Sequence, residues 1–158
     1  KSLRSSSSLN RLGRAPLRCS PISEEYACCM VRSKKYQLVY IEDDPDMIQF
    51  VKVVLGDERY EIRGALNGEY GLRMIHDNPP DLILLDLMLP DLSGWAIYQT
   101  MQKDRWLKNI PIIVITARSA PIDRVLGQHI AKVQVYITKP FSPNDLRKAV
   151  RKTLGLVS

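Results

Sequence analysis

A few polar residues that could do chemistry each follow a short apolar run. Asp86 follows Leu82-Ile83-Leu84-Leu85, and Glu42-Asp43-Asp44 follows Leu38-Val39-Tyr40-Ile41. Thr116 closes the run from Ile110 to Ile115, and Lys139 stands just past Val133 to Ile137. A lone carboxylate at the end of an apolar strand is costly to desolvate, so Asp86 calls for a partner. Clustered carboxylates repel one another and suit a hard cation, and Mg²⁺ takes one or two carboxylates together with water and phosphate oxygens. Lys139 can pair with Asp86 as a point charge, while the Thr116 hydroxyl and the Ala117 backbone N–H can donate to an anion. Taken singly, each has an ordinary role: a solvated lysine, a locally bonded threonine, a satisfied buried aspartate. Asp44 before Pro45 reads as a helix cap and is left outside the metal group.

These groups meet only if their strands lie side by side. Strand-like runs at Tyr36–Ile41, Tyr60–Arg63, the stretch ending at Asp86, Ile110–Ile115 and Val133–Ile137 alternate with helical patterns. The helices are expected at about Asp44–Leu55 (stopped by Gly56), Asn67–Asp77, Ser93–Asp104, Pro121–Ala131 and Ser142–Leu154. The run before Asp86 is bounded by Pro79-Pro80 and by Pro90 and Gly94, as befits a central strand buried on both faces. Five strand–helix alternations predict an α/β fold: a five-stranded parallel sheet flanked by helices on both faces, with right-handed crossovers. Open sheets of this kind, flavodoxin-like in arrangement, bind ligands at the carboxyl ends of their strands. All of the candidate residues fall there.

At this point the chain resembles the receiver domain of two-component response regulators. The resemblance rests on Ile41-Glu42-Asp43-Asp44, Leu85-Asp86 with Pro90 and Gly94, Val114-Ile115-Thr116-Ala117 and Tyr136-Ile137-Thr138-Lys139-Pro140-Phe141, and it spans residues 36 to 154. It implies that Asp43, Asp86 and the Met88 backbone carbonyl bind Mg²⁺, with Glu42 reaching the ion through water. Asp86 is then the phosphoacceptor, served by Thr116, Ala117 and Lys139, with a sensor histidine kinase or phosphotransfer protein as donor. Thr116 and the aromatic Tyr136 form the switch, and the surface of the fourth helix, fifth strand and fifth helix reports to an output domain or protein. That surface resembles regulators that dimerise there and carry a winged-helix DNA-binding domain, so a homodimer is implied as well. Where those regulators usually have Gly-Ala and an acidic pair, this chain has Ala131-Lys132-Val133-Gln134-Val135, one residue longer and without the acids. Met88 and Arg118 flank the approach of water to Asp86, which implies slow self-dephosphorylation and no turnover as an enzyme. An aspartyl phosphohydrolase would need a second acid two residues after the nucleophile, where Met88 stands.

Charge separates the chain into two parts. Residues 1–35 hold eight Lys or Arg and two Glu, a net +6, whereas residues 36–158 hold fifteen of each sign. The balanced part predicts no direct nucleic-acid binding by residues 36–158. The leader, with Ser5-Ser6-Ser7-Ser8 and scattered Arg, has the composition of a disordered segment and also that of a transit peptide. Met30 is a natural start for the native chain. The cysteines, Cys19, Cys28 and Cys29, form neither a disulfide framework nor a zinc spacing. No run approaches the roughly 20 apolar residues of a membrane span, and the expected compartment is the cytoplasm.

Overall fold

The computed structural model describes residues 35–56, 59–117 and 133–156, apart from the Gln134 side chain. Five strands, β1 (Tyr36–Ile41), β2 (Tyr60–Ala65), β3 (Leu82–Leu85), β4 (Ile112–Ala117) and β5 (Val133–Lys139), form one parallel sheet in the order β2-β1-β3-β4-β5. The helices are α1 (Pro45–Val54), α2 (Gly68–Asp77), α3 (Gly94–Lys103) and a C-terminal helix (Pro143–Thr153), with a short 3-10 turn at Leu107–Asn109. The leader, Arg118 and the helix expected at 121–131 lie outside the described residues.

Local chemistry sets the helix starts. The Asp44 carboxylate accepts from the Asp46 and Met47 N–H groups, and Pro45 presets the first turn of α1. Asn67, Ser93 and Ser142 cap the others through their side-chain oxygens. Strand alternation sorts the core into two layers. Leu38, Tyr40, Leu82, Leu84, Ile113 and Ile115 pack against α1 and the C-terminal helix. Val39, Ile41, Ile83, Leu85, Ile112 and Val114 pack against α2 and α3. Both faces of the sheet are thus covered, as the apolar runs predicted.

Two strands run further than expected. Thr116 and Ala117 belong to β4 and Lys139 to β5, because Thr116 pairs with Thr138 and Ala117 with Lys139 in the ladder. Polarity at those positions therefore marks a site on the strands, beyond the apolar run that suggested where they stop. The extra residue near Gln134 is absorbed as a bulge: Ile112 pairs with Val133, but Ile113 pairs with Val135. Val133 accordingly packs with the α2–α3 layer and Val135 with the opposite one.

Candidate functional site

Register alone brings the acidic residues together. Ile41 pairs with Leu85, and the Asp86 N–H donates to the Ile41 carbonyl at 3.0 Å, so Glu42 and Asp86 leave adjacent strands at one level. The order reversal between β1 and β3 opens the crevice into which they project. Glu42, Asp86 and Lys139 continue the alternation of Tyr40, Leu84 and Ile137, and so share the side of α1 and the C-terminal helix.

Their contacts form a chain. Lys139 Nζ donates to Asp86 Oδ2 at 2.5 Å and to Glu42 Oε2 at 2.6 Å. Tyr40 donates its hydroxyl to the same Glu42 oxygen at 2.5 Å, and the Met88 N–H donates to Asp86 Oδ1 at 2.9 Å. Glu42 and Asp86 are buried, whereas Asp43 is exposed at the mouth. Burial, helped by the Asp86 charge, raises the Glu42 pKa against the opposing bonds from Lys139 and Tyr40. Burial pulls the Lys139 pKa down, but its bonds to Asp86 and Glu42 outweigh that and hold it above its usual value. The Tyr40 hydroxyl is pushed far up by burial and by Glu42.

One oxygen from each of Glu42, Asp43 and Asp86 lies within 4.8 Å of the others. Oxygens bound directly to one Mg²⁺ ion at about 2.1 Å stand roughly 3–4 Å apart, and a carboxylate that reaches the ion through water stands further off, so the donor set suits the ion with Asp43 and Asp86 as direct ligands. Thr116 Oγ1 is buried and has no hydrogen-bond partner among the described residues. Such orphans are uncommon, and at the sheet edge beside the carboxylates this hydroxyl is free to donate to a ligand group. Tyr136 pairs with Val114 and falls on the same side of the sheet as Thr116. Its side chain is exposed, and its hydroxyl pKa is raised to about 12 by partial desolvation and by Tyr98.

The sequence-predicted residues Glu42, Asp43, Asp86 and Lys139 thus converge, Thr116 and Ala117 end the strand beside them, and Tyr136 lies two ladder pairs before Thr116. In the sequence Tyr40 reads as part of an apolar run; its place two residues before Glu42 on one strand is the signal for its contact with that carboxylate. Two supports of the Asp86 loop also emerge. A Cβ on Gly94 would fall 2.2 Å from the Asp86 carbonyl oxygen, so only glycine fits there. Asp91 accepts from the Gly68 and Glu69 N–H groups at 2.9 and 3.0 Å, tying the loop to the start of α2.

A doubly wound parallel sheet with an acidic crevice at the carboxyl ends of its strands and a lysine bridging two of the carboxylates places the chain among α/β domains that carry a polar site at the sheet's switch point. The model of the response regulator receiver domain matches residues 38–151, and the chain belongs to that family. It is 36% identical over 115 residues to the uncharacterized transcriptional regulatory protein YrkP of Bacillus subtilis (strain 168), covering 73% of this chain and 48% of that protein. It is 31% identical over 120 residues to the DNA-binding response regulator MtrA of Mycolicibacterium smegmatis, covering 76% of this chain and 51% of that one. The chain spans about half the length of the curated relatives it matches. Among solved structures, a CheY-like response regulator receiver domain protein from Methanospirillum hungatei JF-1 superposes with a TM-score of 0.69 at 26% identity, covering 78% of this chain and 96% of that one. The receiver domain of a signal transduction histidine kinase from Syntrophus aciditrophicus gives 0.69 at 28% identity, covering 78% and 92%.

Proposed function

We propose that the domain is a phosphorylation-dependent switch that accepts a phosphoryl group on Asp86 from a histidine kinase or phosphotransfer protein in the cytoplasm. The observation that carries this reading is the convergence of three carboxylates within 4.8 Å at the carboxyl ends of β1 and β3, with Lys139 bonded to two of them. An Asp86 oxygen attacks phosphorus, the donor's bond to phosphorus breaks with the electron pair leaving on the donor, and an acyl phosphate results. Lys139 turns from the carboxylate to a phosphoryl oxygen, and the buried Thr116 hydroxyl and Ala117 N–H supply further donors. Asp43, Asp86 and the Met88 carbonyl, with Glu42 through water, would hold Mg²⁺, which would supply charge neutralisation.

As Thr116 turns to the new acceptor oxygens, the space behind it is filled by Tyr136 moving inward, and the β5–C-terminal-helix surface changes for an output domain, a partner protein or a second copy. The domain works as a phosphoacceptor with slow self-dephosphorylation, not as a turnover enzyme. The test is borohydride trapping after treatment with acetyl phosphate and Mg²⁺. Peptide mapping should find homoserine at position 86; reduction at another aspartate, or none, would refute the assignment.

A further inference from the structure

We propose that Tyr40 is a positioning residue for phosphoryl transfer, its buried hydroxyl fixing Glu42 so that Glu42 in turn fixes the Lys139 ammonium against Asp86. The inference rests on Asp86 being the phosphoacceptor. Tyr40 is wholly buried, its ring part of the core with Leu38, Ile48 and Leu84. A phenol in such a place needs an acceptor, and this one is 2.5 Å from Glu42 Oε2. Lys139 Nζ reaches the same oxygen at 2.6 Å and Asp86 Oδ2 at 2.5 Å. One carboxylate oxygen is therefore held from two sides, by a hydroxyl locked in the core and by the ammonium that the reaction uses.

The geometry gives Tyr40 a consequence beyond packing. Removing its hydroxyl takes away the donor that is anchored in rigid structure and, among the described residues, leaves the Glu42 carboxylate bonded to the long, rotatable Lys139 side chain alone. Lys139 must meet the charge that develops as the donor's bond to phosphorus breaks and the Asp86 oxygen–phosphorus bond forms. A displaced ammonium stabilises that charge less well.

The test measures phosphorylation rates by intact mass with acetyl phosphate and Mg²⁺ for the wild type, Tyr40→Phe, Glu42→Ala and the double variant. Loss of one positioning hydrogen bond should slow Tyr40→Phe by roughly three- to tenfold. In the Glu42→Ala background the same substitution should cost nothing further, since its route to Lys139 is already gone. A wild-type rate for Tyr40→Phe, or an equal slowing in both backgrounds, overturns the proposal. A wild type that gains no phosphate overturns the assignment of Asp86 instead, and the inference with it.

A second measurement holds even where Tyr40→Phe does not fold. In protein labelled with ¹³C at tyrosine Cζ, the Tyr40 resonance should move on Glu42→Ala, and an unmoved resonance contradicts the contact on which the proposal stands.

Discussion

Lys139 is pulled in two directions, and the direction that wins has a consequence for pH. Its folded-state pKa lies above the usual 10.5, so the folded protein holds that proton more tightly than the unfolded chain. Its contribution to stability is therefore complete below 10.5 and is lost as pH rises through the higher folded value. Denaturant titrations of wild type and Lys139→Gln should differ by a constant amount from pH 7 to 10 and converge above 10.5. Divergence in that alkaline range would contradict the ion-pair geometry. Asp43 gives a second test. Mg²⁺ at ten times its dissociation constant should stabilise the wild type by about 1.4 kcal/mol, and Asp43→Asn should abolish that increment in calorimetry. The convergence of these residues was legible because they stand together at the ends of runs that must lie side by side in one sheet, although each taken singly had an ordinary explanation. Tyr40 was not legible, because a tyrosine inside such a run reads equally well as core.

At the scale of elements, the segment from Asp86 to Gly94 is held by its backbone. Gly94 lies close to the Asp86 carbonyl, and its N–H donates to the Leu87 carbonyl at 3.1 Å. Gly94→Ala must push main chain aside and should cost about 1–3 kcal/mol or more, read in denaturant midpoints. Ser142→Ala, which removes the cap of the C-terminal helix, should cost about 1 kcal/mol while leaving the crevice intact. Among the described residues, the order and type of the strands and of the four helices were legible from periodicity and caps, since Asp44, Asn67, Ser93 and Ser142 all stand at helix starts. Strand ends were less so: β4 and β5 continue through polar Thr116 and Lys139, which only ladder pairing across the sheet could reveal. The bulge at the start of β5 shows how an extra residue near Gln134 is taken up without shifting Tyr136 or Lys139 from their register with β4.

At the scale of the whole domain, residues 36–158 carry fifteen positive and fifteen negative side chains, a balance that suits the proposed reading of communication by protein contact rather than with nucleic acid. Among the described residues no helix is long and apolar enough to cross a membrane. The exposed Met88 side chain stands two residues past Asp86, and on the proposed reading it would narrow the approach of water. The phosphorylated form is expected to persist for minutes or longer, followed by mass after removal of the donor; loss within seconds would show that water has open access. The central claim is the phosphoacceptor role of Asp86. Its most direct test is the intact mass of wild type and Asp86→Asn after incubation with acetyl phosphate and Mg²⁺. The account predicts one added phosphate on the wild type and none on the variant. A folded wild type that gains nothing with Mg²⁺ present, or a variant that gains as much, would contradict it and favour a domain that binds its partner without phosphorylation.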